Sequence, residues 1–242
     1  ILSMLSQAGI PWRADQRDSG FPLVIAGGPG AYNPEPLAPF LDAVLLGDGE
    51  QAAIEIAETL RQWKRDGAGS KSELLERLAR IDGIYIPSMF AIDYQADGRI
   101  AAIRPLKAGY ERVRRRFLTD LEQAPFPDQP IIPFMKTVHD RVAVEIARGC
   151  TRGCRFCQAG YIYRPLRERS PEQIQQLIQT ALQASGYDEI SLLSLSTGDY
   201  SCIGPLLQTL MQQYAASRVA VSLPSLRVGT LTPELIDEIR KV

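Results

Sequence analysis

The chain has 242 residues, 45% of them hydrophobic, and a formal net charge of −1. That balance allows a sizeable buried core in one or two domains and removes any general pull toward nucleic acid or an anionic membrane. No apolar run approaches the roughly 18 residues of a membrane span and no secretory pattern opens the sequence, so no membrane partner and a cytoplasmic location are expected.

Ile1, Leu2 and Leu5 read as part of a helix, and a start without Met suggests an excerpt of a longer protein. "FPLVIAGGPG" predicts a buried parallel strand over Pro22 to Ala26 ending in a glycine turn. Asn33 is a candidate N-cap, with Pro34 at the first helical position. "LDAVLLGDGE" repeats the strand-and-glycine plan, and residues 50–64 follow as a helix with Ala53, Ile54, Ala57 and Leu60 on its apolar face. Strand, turn and helix in this rhythm indicate an α/β domain over 1–64.

Residues 65–140 break the rhythm and read as a connector. "RDGAGSKSE" is a polar break, and "MFAIDYQADGRIAAIRP" predicts a hairpin turning at Asp97-Gly98. "EQAPFPDQPIIPF" holds too many prolines for a long regular element. The basic run Arg112, Arg114, Arg115, Arg116 reads as a solvated face, which makes a nucleic-acid partner unlikely to be its purpose. From residue 141 the α/β rhythm returns: "RVAVEIA" as a strand, a helix opened by Ser170-Pro171-Glu172, "EISLLSL", a helix over 203–217, "VAVSL", and a helix opened by Thr232-Pro233-Glu234. Three βα units predict the first half of a (β/α) barrel over 141–242.

Cys150, Cys154 and Cys157 lie in the loop after the first of these strands, spaced Cys-x3-Cys-x2-Cys. Gly149 and Gly153 let the backbone wrap a bulky inorganic group, and Arg148, Arg152 and Arg155 would favour thiolates. A structural zinc site wants four closed ligands, and an electron-transfer cluster wants a fourth cysteine nearby. Cys202 is 45 residues beyond Cys157 and the lone histidine, His139, precedes the strand, so neither completes such a site. Three thiolates can instead hold three irons of a 4Fe–4S cube and leave the fourth iron open.

The segment resembles the radical S-adenosylmethionine (SAM) superfamily, whose signature is Cys-x3-Cys-x-aromatic-Cys, with Phe156 as the aromatic. The resemblance implies that the open iron binds SAM and that a reduced cluster cleaves it to a 5′-deoxyadenosyl radical. It implies a flavodoxin- or ferredoxin-like reductant as partner. Phe156 would pack on the adenine. The family's Gly-Gly-Glu stretch corresponds to Thr197, Gly198 and Asp199, a departure that keeps a carboxylate to orient the methionine end. After the third strand, Ser222, Ser225 and Arg227 would serve the ribose or carboxylate.

"GDGEQA" also fits a dinucleotide fingerprint, but Asp48 and Glu50 would face the pyrophosphate with like charge. "AGGPGAYNPEPLAPFLD" and "LLGDGE" instead resemble the C-terminal part of a Rossmann-like cobalamin-binding domain. More narrowly, the chain is similar to a bacterial family of cobalamin-binding-type radical SAM proteins. Gly27, Gly28, Gly47 and Gly49 would then approach a cobalamin, whose binding this half-domain leaves open. The reaction implied is hydrogen abstraction or cobalamin-assisted methyl transfer. The alternatives are a methylthiotransferase acting on tRNA or protein, and a non-catalytic iron–sulfur module. The substrate is not readable.

Overall fold

The computed structural model describes residues 1–242 as two compact units, Ile1–Leu118 and Thr119–Val242. Together with the parallel sheet described below, they make an α/β chain, and no helix is long and apolar enough to cross a membrane.

The first unit runs α1 (Leu2–Gln7), β1 (Ile25–Ala26), β2 (Ala43–Leu45), α2 (Glu50–Arg65), α3 (Lys71–Leu78), β3 (Ile84–Tyr85), β4 (Phe90–Tyr94) and β5 (Ile100–Pro105). Its three-stranded sheet has the order β1-β2-β3, with β1 parallel and β3 antiparallel to β2. β1 is shorter than the expected Pro22 to Ala26. Pro22 has no N–H to give, and the N–H of Val24 donates to the Asp42 side chain at 2.7 Å instead of to a ladder. Asn33 caps no helix: residues 35–40 form a 3-10 helix preceded by Pro34, with Pro39 inside it. An interior proline lacks the N–H that an α-helix needs.

α2 forms where expected, but its buried face is turned from the expected one. Ala52 and Trp63 are buried with Ile56 and Leu60 beside them, whereas Ile54 is 59% exposed. Trp63 is by far the largest apolar side chain of the helix, and burying it sets the phase. The stretch expected to be a connector is partly core. Ser70 accepts the N–H of Glu73 at 3.2 Å and starts α3, whose Leu74, Leu75 and Leu78 pack with Ile84 and Ile86. The β4–β5 hairpin turns at Asp97-Gly98 as expected, Gly98 having φ +82°. A row of aromatics fastens it: Tyr85 stacks on Phe90 at 4.8 Å, and Tyr110 meets Phe90 tilted, at 5.4 Å.

The second unit runs β6 (Val142–Glu145), β7 (Ala147–Arg148), α4 (Ala159–Ile162), β8 (Arg167–Glu168), α5 (Pro171–Ser185), β9 (Glu189–Leu193), α6 (Ile203–Tyr214), β10 (Ala220–Ser222) and α7 (Pro233–Ile239). β6, β9 and β10 form a parallel sheet of order β10-β9-β6, so its strands lie side by side in chain order, as in a barrel wall, while β7 and β8 pair apart from it. Ser170 accepts the N–H of Gln173 to cap α5, and left-handed Gly186 ends it. Ile174, Leu177, Ile178, Ala181 and Leu182 share one helical face, and Ile174, Ile178 and Ala181 are buried on it, against Val144, Ile190, Leu206 and Leu210. Each such Leu or Ile contributes roughly 1.5–3 kcal/mol by leaving water. Parallel pairing puts the C-terminal ends of all three strands at one end of the sheet, where the cysteines lie.

Candidate functional site

β7 and β8 pair antiparallel, Ala147 with Glu168 and Arg148 with Arg167. The cysteine segment is the excursion between them, closed at its base by this short ladder. Gly149, with φ +95°, opens it. A Cβ there would sit 2.6 Å from the Tyr163 carbonyl oxygen and 2.7 Å from that of Pro165, so the backbone can pass only as glycine. Two buried arginines hold the returning strand. Arg167 donates to the carbonyls of Pro165 and Tyr163, and Arg169 to those of Glu145 and Ala124 and to Gln173. Arg164 lies over the Tyr161 ring at 5.1 Å.

All three cysteines are free and partly exposed. Cys154 to Cys157 form a tight turn, the Cys157 N–H donating to the Cys154 carbonyl at 3.0 Å. No group of three or more His, Cys, Asp or Glu side chains stands arranged to hold a metal ion. The fit to a cluster therefore rests on donor chemistry: three soft thiols and no carboxylate among them, on a loop that Gly149 and Gly153 let curl. Cys202 stands apart at the start of α6, against the sheet core. His139 is exposed on the approach to β6.

The arginines before and between the thiols do not act as a set. Arg148 makes a two-pronged pair with Glu145 at 2.9 and 2.8 Å. Arg152 makes one with Asp199, its Nε 2.7 Å from Oδ2 and its second nitrogen on Oδ1. Arg148 and Arg152 thus each place the guanidinium fork on a carboxylate, the better-matched partner, and not on a thiol. Arg152 keeps some relation to the thiols. Its pKa is raised first by the hydrogen bond and charge of Asp199, and further by the charges of Cys150 and Cys154.

Asp199 lies on the turn after β9, residues 197–199, and gathers the site. Besides Arg152 it accepts the Ser196 hydroxyl at 2.8 Å, and Arg227 approaches at 3.4 and 3.5 Å. The Arg152 hydrogen bond, outweighing the opposing effect of burial and helped by Arg227 and Ser196, holds its carboxyl well below the usual range. Thr197 is fully buried. Its N–H donates to the Ser225 carbonyl at 2.8 Å and its hydroxyl to that of Leu192, which ties the β9 turn to the loop after β10. Gly198 is required by packing, since a Cβ would lie 2.4 Å from the Thr230 hydroxyl.

Cys150, Arg152, Glu168, Ser194, Ser196, Asp199 and Tyr200 are among the residues that line one cleft of about 60 Å³. That is room for the polar end of a ligand and far less than a whole nucleoside requires. Phe156 is outside it, 93% exposed at the tip of the turn, and Ser222, Ser225 and Arg227 are not among its lining residues. Larger cavities of about 360 to 520 Å³ belong to the first unit and hold no cysteine. Sequence reasoning did not select Arg152 as a partner of Asp199, because 47 residues separate them.

In the first unit, Gly28 has φ +85° and open space where a Cβ would be. Gly27 and Gly49 meet only ordinary contacts from Leu45. Gly47 differs: its Cβ would fall 1.8 Å from the Arg116 carbonyl oxygen. The chain's own backbone occupies the Cβ side of this glycine. Arg116 itself reaches back to Glu55 at 2.6 and 2.7 Å, so this member of the basic run is paired and not solvated.

Residues 144–242 match the radical SAM superfamily, and residues 1–87 match radical SAM proteins, N-terminal. The chain is 27% identical over 215 residues to an uncharacterized protein of Methanocaldococcus jannaschii, covering 88% of this chain and 40% of that one. It is 31% identical over 175 residues to the ribosomal protein uS12 methylthiotransferase RimO of Desulfotalea psychrophila, covering 70% of this chain and 36% of the relative. The chain thus spans 36 to 40% of the length of these two relatives. In fold it is similar to the radical S-adenosylmethionine methyltransferase TsrM of Kitasatospora setae, a structure with cobalamin and a 4Fe-4S cluster bound. The TM-score is 0.52 at 14% identity, over 90% of this chain and 40% of that one.

Proposed function

We propose, for a chain that belongs to the radical SAM superfamily, that Cys150, Cys154 and Cys157 hold a 4Fe–4S cluster with one iron open to SAM. When bound, the cluster and SAM supply one-electron cleavage of the sulfonium to methionine and a 5′-deoxyadenosyl radical. The chain's residues position and enclose. Asp199, kept ionised by its arginine partners, faces the ligand's ammonium, and Arg227 turns its guanidinium to the carboxylate. The Ser194 and Ser196 hydroxyls offer further hydrogen bonds in the same cleft. Phe156, at the tip of the cysteine turn, takes the adenine, and the Ser222 and Ser225 segment takes the ribose. The observation that carries this reading is the shared cleft of Cys150, Arg152 and Asp199 at the C-terminal end of a parallel sheet.

The chemistry so supplied would serve hydrogen abstraction from a substrate or cobalamin-assisted methyl transfer, with a flavodoxin- or ferredoxin-like protein as reductant. For cobalamin we retain Gly27, Gly28 and Gly49, where even a Cβ would meet no close contact. Methylthiotransfer on a protein or tRNA is the second reading. The RimO likeness favours it, and the lack of any cysteine in Ile1–Leu118 gives it no second cluster in this part of the protein. The test is anaerobic reconstitution of the full-length protein with iron and sulfide, then dithionite and SAM. Release of 5′-deoxyadenosine that disappears in Cys154→Ala supports the proposal. A protein that takes one zinc and no iron overturns it. A corrinoid absorption spectrum after incubation with cobalamin decides that cofactor.

A further inference from the structure

Three loops meet at one carboxylate. Arg152 comes from the cysteine loop, Asp199 from the turn after β9 and Arg227 from the loop after β10. The two arginines are not equivalent. Arg152 holds Asp199 with a close two-pronged pair, whereas the Arg227 contacts, at 3.4 and 3.5 Å, are at the edge of hydrogen bonding. The cysteine loop is otherwise fixed only at its ends: at its base by the β7–β8 ladder, and at its far end by the turn into α4. Between Gly149 and Cys157 the sole side-chain bond to another strand's loop that the structure records is that of Arg152, and it sits between two of the three thiols.

We propose that Arg152 is a positioning residue that pins the cysteine loop to the β9 turn through Asp199, so that the thiols and the ligand-facing carboxylate move as one body. Arg227 is the partner free to leave. A zwitterionic ligand end can take the place of Arg227 on Asp199 while Arg152 keeps the loop in register. This rests on the proposed function for what is bound, but the pin itself is a property of the protein without ligand.

Hydrogen–deuterium exchange of the full chain, before and after loading with iron and sulfide, tests it. Arg152→Gln is expected to speed exchange over residues 149–158 about fivefold, the scale of one well-formed exposed ion pair. Arg227→Gln leaves it within about twofold of wild type. The double variant Arg152→Gln/Asp199→Asn exchanges no faster than Arg152→Gln alone, because both remove one interaction. Arg152→Lys, which keeps the charge and loses the fork, falls between, and it serves as the measured variant should Arg152→Gln lose its far-UV circular dichroism. After loading, iron release to a chelator follows the same order. Wild-type exchange in the Arg152 variants, or additivity in the double variant, overturns the pin. If wild type takes up no iron while the exchange differences persist, the pin stands and the cluster reading fails. If wild type loads iron and the variants exchange like it, only the pin fails.

Discussion

The two units use charge and glycine in opposite ways. In the first, they are spent on the chain itself. Asp42 is fully buried between Arg17, at 2.8 Å, and Lys71, at 2.6 Å. Arg17 also donates to the carbonyls of Pro11, Trp12 and Phe40, and Lys71 to those of Ala14 and Arg17, so the entry segment is laced to the sheet. Gly47 exists to let the backbone of Arg116 pass. In the second unit, Gly149 also makes room for the chain, but the loop that it starts presents three unpaired thiols and a carboxylate reached by two loops. One unit pairs its buried charges with one another; the other gathers thiols and a carboxylate at a strand end. The lesson is that a glycine turn and a charge cluster signal a site only when something beyond the chain is needed to satisfy them.

The largest expected effect breaks the closed side of this contrast. Asp42→Ala leaves a buried guanidinium and a largely buried ammonium without their counter-charge. A loss of about 3–5 kcal/mol is expected, read by chemical denaturation of the first unit. A loss under about 1 kcal/mol would mean that the triad is not the anchor described. Next comes Gly47→Ala. Its new methyl meets backbone, which cannot swing aside, at a φ of +124° that only glycine takes easily. Destabilisation of about 1–3 kcal/mol follows, without a change in any ligand affinity. A Gly47→Ala protein of normal stability that had lost corrinoid binding would move this turn to the functional side of the comparison.

These two residues also mark where sequence reading stops. The second unit was legible because its signals are local: Ser170-Pro171-Glu172 states a helix start, Ile174 and Ile178 state its face, and three cysteines within one turn of loop state their chemistry. α3 was equally local, since Ser70 and Glu73 are spaced as a helix cap, but the surrounding glycines and charges read as a break. The phase of α2 was hidden because its small residues fit two faces and only Trp63 decides between them. Gly47 against Arg116, Asp42 with Arg17 and Lys71, and Arg152 on Asp199 are long-range pairings. Nothing in the residues flanking either partner specifies the other, so only the fold reveals them.

The third prediction concerns Asp199 and turns on pH. Its folded pKa is depressed by Arg152 first, so its contribution to stability is present above the unfolded value of about 4 and is lost as pH falls toward the folded one. Asp199→Asn should therefore be less stable than wild type at pH 7 by about 1 kcal/mol, the half-exposed Arg152 keeping the effect modest. The difference should shrink steadily below about pH 4. Paired thermal melts across that range check it. A difference that stays constant with pH would assign the loss to the changed side chain and not to the charge pair.

The smallest change in stability is expected at Cys154, and it bears most directly on the contrast. Its thiol is partly exposed and bonds to no other side chain that the structure records, while the turn that it starts uses only its backbone carbonyl. Cys154→Ala keeps that carbonyl, so metal-free unfolding should match wild type within about 0.5 kcal/mol. Loading with iron and sulfide should then raise the melting temperature of wild type and not of the variant, since a ligand that binds only the folded state stabilises it by mass action. A metal-free Cys154→Ala protein as damaged as Asp42→Ala would make the thiol part of the scaffold, and the open side of the comparison would be lost. A variant as sound as wild type but unable to gain from iron would separate what folds the second unit from what it holds.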